Sequence, residues 1–177
     1  MKRNAKVLFG GLFVLGAVSV YTLFGTPFKA FATNDVVVSN EVLQEKSSEE
    51  VINEVIALAN SKIGCIYTQK AEGRNGDNSF DCSGFVRYLY KETTGVDIGT
   101  WTGHQEDVLK LYQVPMSEIQ PGDLLFSTGH VALYIGNGEI IHASNPKAYP
   151  EGGVKKGKVY DRLERAYRPI NFVESQK

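Results

Sequence analysis

The sequence predicts an α+β domain, with helices in its first half and an antiparallel β-sheet in its second. Three observations predict it. Apolar residues recur at helical spacing between residues 47 and 112. Short β-prone runs separated by turn residues take over from Gly122. Between two of those runs, Gly136-Asn137-Gly138 marks a hairpin. A chain of 177 residues, 42% apolar and 22% charged, has room for one ordinary core plus a targeting segment.

Lys2, Arg3 and Lys6 precede an apolar run from Val7 to Phe24, and Gly25, Pro27 and Ala30-Phe31-Ala32 follow it. That is the order of a secretory signal, with cleavage after Ala32. No cysteine lies near the cleavage site to carry a lipid. An uncleaved membrane anchor is the alternative, because a run of this length just spans a bilayer. In either case the remainder lies outside the cytoplasm. Residues 33–46 are polar around Val36-Val37-Val38 and read as a linker, which leaves residues 47–177 as the folded domain.

Ser47-Ser48-Glu49-Glu50 supplies a hydroxyl cap and first-turn acids, and Val51, Ile52, Val55, Ile56, Ala59 and Ile63 continue as one helix face up to Gly64. Residues 70–80, rich in Gly, Asn, Asp and Ser, form a loop. A second helix covers Asp81 to Lys91 with Phe85, Val86, Leu89 and Tyr90 inward. A third covers Thr102 to Tyr112, with Val108, Leu109 and Leu111 as its apolar side. Strands are expected at Leu124 to Phe126, Val131 to Ile135 and Ile140 to Ala143. A last pair is expected at Lys158 to Asp161 and Arg165 to Ile170.

Cys82 stands where a loop becomes a helix. A helix N-terminus carries partial positive charge and unpaired N–H groups, which favour a thiolate and suit an oxyanion. A nucleophilic thiol needs a base, and the chain has three histidines: His104, His130 and His142. A three-residue loop at Gly136-Asn137-Gly138 sets Ala132 opposite His142. His130, Ala132, Tyr134, Ile140, His142 and Ser144 then share one face, and Val131, Leu133, Ile135, Ile141 and Ala143 share the other. In that register His130 takes the thiol proton and His142 holds its far nitrogen. A zinc site built from Cys82, His130 and His142 is the other chemical option, but the spacing lacks a paired-cysteine signature and a fourth ligand.

Asp81 to Val86, Gly129 to Gly138 and Ile140 to Ala143 resemble the three signature blocks of the NlpC-type cell-wall cysteine peptidases. Pro121-Gly122-Asp123-Leu124 resembles the stretch before their histidine strand. The resemblance covers roughly residues 50–170. It implies a papain-like fold with Cys82 as nucleophile, His130 as base and His142 as orienting residue, and no cofactor or metal. It implies cleavage of peptidoglycan stem peptides, between γ-D-glutamate and the following diamino acid, through an acyl-enzyme. It points to Tyr67 as a phenol that tunes the thiol, and to Asp81 and Ser83 as contacts for the peptide's amine. Trp101 and Gln105 fall in the stretch expected to line the groove.

The chain departs from the family pattern at Ile66, where proline is usual, and in the polar loop 69–80. It also departs at Cys65, which leaves a Cys65–Cys82 disulfide open. An amidase or acyl transferase on the same fold is the alternative activity. A non-catalytic wall-binding module is disfavoured because Cys82 and His130 are both kept. Net charge is −1, and the part after residue 32 holds fifteen bases against twenty acids. Nucleic acid is therefore excluded as a partner, and attraction to an anionic wall does not hold the protein there. A membrane enters only through an uncleaved signal.

Overall fold

The computed structural model describes residues 46–71, 73, 74 and 76–177. The signal and linker expectations lie outside these residues, apart from Lys46. Among the described residues no helix is long and apolar enough to cross a membrane.

Helix α1 spans Ser48–Ser61. Ser47 accepts from the Glu50 N–H, and the Glu50 carboxylate accepts in return from the Ser47 N–H at 2.8 Å, which closes a capping box. Strands β1 (Ile66–Tyr67) and β2 (Ser79–Phe80) pair in parallel on either side of the polar loop, an element the sequence did not announce. Helix α2 spans Cys82–Thr94 and stops at Gly95, whose φ of 75° is the left-handed cap. Its buried Phe85, Val86 and Leu89 pack on α1 and across the sheet. Each such fully buried side chain contributes roughly 2 kcal/mol.

Helix α3 is shorter than expected, Thr102–Leu109. Residues Lys110–Tyr112 tighten into a 3-10 turn that feeds β3 (Gln113–Val114), so Leu111 is 82% exposed rather than inward. The sheet continues with β4 (Leu124–Ser127), β5 (His130–Gly136), β6 (Glu139–Ser144), β7 (Gly153–Lys158) and β8 (Arg165–Tyr167). A final helix, α4, covers Pro169–Ser175. Strand order is β3-β8-β4-β5-β6-β7, antiparallel throughout. Two expectations are corrected. The strand placed at 158–161 lies at 153–158, and residues 169–170 open a helix because Pro169 suits its first turn and cannot donate to a ladder.

The hairpin also forms differently. Gly136 pairs with Glu139 across a two-residue Asn137-Gly138 turn, with φ values of 53° and 69° that match the strand twist. A bulge between Tyr134 and Gly136 then takes up one residue, and Tyr134 faces Ile140. The register beyond the bulge is the expected one. Val131, Leu133, Ile141 and Ala143 join the helix-side core, while Ala132 and Ile140 pack in a smaller core on the other face.

Candidate active site

Asp81 caps α2 and thereby fixes where Cys82 stands. Its Oδ1 accepts from the Gly84 N–H at 2.6 Å and from the Ser83 hydroxyl at 2.9 Å, and its Oδ2 lies 2.7 Å from Arg74 Nε. Arg74 also donates to Ser83 Oγ at 3.1 Å and to the Thr100 carbonyl at 3.3 Å. Both Asp81 oxygens are thus engaged inside the protein, Oδ1 by the first turn of α2 and Oδ2 by a residue of the polar loop. Gln105 is fully buried and donates to the carbonyls of Ser83 (2.9 Å) and Gly99 (3.2 Å). It ties α3 to the first turn of α2, which makes it a support for Cys82 rather than a groove contact. Trp101 stands at the start of α3 and is 56% exposed, its ring lying over Gly103.

The Cys82 sulfur reaches the turn that leads into β5. It approaches the Gly129 carbonyl at 3.9 Å, and the Val131 N–H points at it, so it touches backbone on both sides of His130. Gly129, with φ of 71°, makes the tight β4–β5 turn possible. Burial pushes the Cys82 thiol above its ordinary value of 9.0. The N–H groups of Val131, Ser83 and Cys82 itself pull the other way, and the Asp81 carboxylate adds to the rise. The N–H groups at the helix start thus favour the thiolate, as the sequence suggests, and burial outweighs them. Cys65 and Cys82 are both free thiols, without the disulfide left open by the sequence.

His130 and His142 come together as the hairpin register requires. Nε2 of His130 lies 2.9 Å from Nδ1 of His142. This contact leaves Nδ1 of His130 as its remaining nitrogen. Burial lowers the His130 pKa. His142 is pushed down to about 4 by burial, with the charges of His130 and Lys155 adding to the effect. His142 is therefore neutral over the physiological range; with Nδ1 of His130 left open for the thiol proton, Nε2 of His130 carries the hydrogen and donates to His142 Nδ1. His104 stands apart, its Nδ1 held 3.3 Å from the Thr100 N–H.

Tyr67 and Tyr160 both lie within electrostatic range of Cys82, and burial raises the pKa of each phenol. Tyr67 is brought there by its pairing with Phe80, two residues before Cys82. Tyr160 was not singled out by the sequence, because nothing in its local pattern separates it from eight other tyrosines. A cavity of about 510 Å³ opens beside His130 and His142, with Tyr160 on its wall. Among the described residues no three His, Cys, Asp or Glu side chains converge as metal ligands.

A family model described as the NlpC/P60 family matches residues 68–165, more than half of the chain. The chain belongs to this family. Its α+β fold is accordingly the papain-like one that the resemblance implied. The NlpC/P60 domain of the peptidoglycan hydrolase SagA is 37% identical, with a TM-score of 0.56, over 66% of this chain and 97% of that one. Protein P54 of Enterococcus faecium is 41% identical over 97 residues, which are 52% of this chain and 18% of that protein. The probable endopeptidase p60 of Listeria seeligeri is 36% identical over 96 residues, 51% of this chain and 17% of that protein. The chain thus matches less than a fifth of the length of these two curated relatives.

Proposed function

We propose that this NlpC/P60 chain is an exported cysteine peptidase that hydrolyses peptidoglycan stem peptides. One observation carries the reading: His130 Nε2 is bonded to His142 Nδ1 at 2.9 Å while the Cys82 sulfur lies against the backbone flanking His130. Support for the substrate comes from relatives named as a peptidoglycan hydrolase and as endopeptidases. In this reading residues 1–32 are a cleaved signal, 33–46 a linker and 47–177 the catalytic domain.

The reaction follows from the groups present. Cys82 gives its proton to Nδ1 of His130 as sulfur attacks the carbonyl carbon of the scissile amide. The N–H groups of Cys82 and Ser83, already directed at the sulfur, face the developing oxyanion. The C–N bond breaks and the leaving amine takes the proton back from His130, which leaves a thioester on Cys82. Water then attacks, giving its proton to His130, and the C–S bond breaks with the proton returned to sulfur. Throughout, neutral His142 accepts from His130 Nε2–H and steadies the imidazolium. Tyr67 and Tyr160 flank the sulfur as tuning phenols, and Trp101 forms part of the groove wall.

The proposed bond joins γ-D-glutamate to the diamino acid. One relative, from Escherichia coli and 38% identical over 77 residues, is named a murein DD-endopeptidase and LD-carboxypeptidase, so the bond needs direct identification. Purified peptidoglycan is digested with the chain lacking residues 1–32, beside its Cys82→Ala variant, and the products are weighed by mass spectrometry. Stem fragments ending in γ-D-glutamate, absent with the variant, are expected. Fragments opened only at cross-links would move the bond, and no release under reducing conditions would remove the hydrolase reading.

A further inference from the structure

Beyond the Tyr160 phenol, the segment that runs on to Glu164 has a local logic that the thiol chemistry does not use. Leu163 is buried in the smaller core, the Leu163 N–H donates to the Tyr160 carbonyl at 2.9 Å, and the Glu164 N–H donates to the Phe126 carbonyl at 2.9 Å. With Leu163 turned inward, its neighbours Arg162 and Glu164 both line the cavity that His130 and His142 also line. The Arg162 guanidinium lies over the Tyr160 ring, 5.9 Å from its centroid, which limits its freedom. The next cations along the chain are paired: Arg165 with Glu106 at 2.6 Å and Arg168 with Asp123 at 2.9 Å. Arg162 and Glu164 have no ion pair with each other or with any other described residue. One cavity, lined also by histidines, hydroxyls and a phenol, therefore presents a cation and an anion two residues apart, neither of them in an ion pair among the described residues.

We infer that Arg162 and Glu164 form a subsite for a zwitterionic amino-acid head, with an ammonium and a carboxylate on one carbon. Arg162 takes the carboxylate through its planar fork and Glu164 takes the ammonium. A single charge would leave one of the two groups without a partner. The inference rests on the peptidase reading above and sharpens it. Of the diamino acids at that place in a stem peptide, diaminopimelate ends in such a head, while lysine ends in an ammonium alone. Both side chains are exposed, so solvent screens them and the preference is modest, about tenfold.

The test compares two synthetic tripeptides, L-Ala-γ-D-Glu-meso-diaminopimelate and L-Ala-γ-D-Glu-L-Lys. Wild type is expected to show about tenfold higher kcat/KM for the first. Arg162→Gln should bring that value down to the lysine level while leaving the lysine peptide unchanged. Glu164→Gln should slow both, because both carry the ammonium. Equal wild-type rates on the two peptides, or an Arg162→Gln variant that slows both alike, would overturn the subsite. Calorimetric binding of the same peptides to the Cys82→Ala protein separates this inference from the peptidase reading. If wild type cuts neither peptide, that reading falls. Tighter binding of the diaminopimelate peptide, lost in an Arg162→Gln, Cys82→Ala double variant, would still uphold the subsite. Equal affinity or no binding would overturn it.

Discussion

The protonation state of Cys82 in the resting protein is open to direct measurement by alkylation. Burial holds its thiol above the ordinary value of 9.0 and holds His130 below 6.5, so both are neutral at pH 7. The sign follows from the charged forms: burial disfavours thiolate and imidazolium alike, which moves the two pKa values apart. With the thiol pushed above its ordinary value, the protonated form predominates at pH 7. Proton transfer to His130 must then accompany attack on the substrate. The assay is the rate of iodoacetamide modification of Cys82 between pH 5 and 10, read by mass spectrometry in a Cys65→Ser background. The rate should rise about tenfold per pH unit through pH 8, with no plateau on the acid side. His130→Ala should leave that profile nearly unchanged. A plateau between pH 5 and 8 that disappears in His130→Ala would reveal a preformed thiolate–imidazolium pair and refute the reasoning.

Three other outcomes are expected. Replacing His142 with Ala removes the acceptor of His130 Nε2–H and should lower kcat by roughly 10- to 150-fold with little change in KM, since a hydrogen bond to a charged group contributes about 1.5–3 kcal/mol. His142 also makes the domain acid-sensitive. Its folded pKa of about 4 lies below the ordinary 6.5, so the unfolded chain binds the proton first and stability falls between about pH 6.5 and 4, by up to ~3 kcal/mol. Urea unfolding at pH 7 and pH 4.5 should show that loss, and His142→Gln should reduce it. Arg74→Ala leaves the Asp81 carboxylate beside Cys82 without its cation, so the alkylation limb should move to higher pH, with partial return in Arg74→Lys; an unmoved limb would limit Arg74 to a structural role. Asp123→Asn breaks a buried, two-pronged ion pair with Arg168 and should cost roughly 3 kcal/mol in urea unfolding without altering the alkylation profile.

Much of the site was legible because it rests on local signals. A cap residue before Cys82 and strand alternation around two histidines are properties of short windows, and both survive in the structure. The hairpin shows why a right register can come from a wrong turn. The two-faced pattern of β5 and β6 demanded that Ala132 oppose His142, and a two-residue turn plus a bulge satisfies that demand as well as a three-residue loop. Long-range features were not legible. Pairing of Ile66 with Ser79 across the polar loop, burial of Gln105 under α2 and the approach of Tyr160 to Cys82 each depend on distant chain segments. The same holds for the ionisation of Cys82. Sequence places it at a helix start, but only the packed sheet against it shows how little solvent the sulfur meets.

The two sides of Cys82 differ in a way that bears on what the groove can select. On the α2 side, Asp81 and Ser83 are engaged by Arg74, and the Gln105 amide nitrogen is spent on backbone carbonyls, with Oε1 buried out of reach of a ligand. Polar groups satisfied within the protein have little left to offer a ligand, so this side supplies rigidity and holds the sulfur and its N–H neighbours in place. On the sheet side, the cavity keeps Arg162 and Glu164 unpaired among the described residues. Discrimination by charge requires groups whose partner is the substrate, because only then does a wrong substrate leave something unpaired. The amine contact expected of Asp81 and Ser83 would first have to displace the Arg74 guanidinium. Selectivity in this chain is therefore concentrated beyond His130, on the leaving-group side of the scissile bond in the proposed reaction. Exchanging the residue after that bond should change kcat/KM more than acetylating the peptide's N-terminus does. The reverse ranking on matched tripeptides would return the recognition role to Asp81 and Ser83.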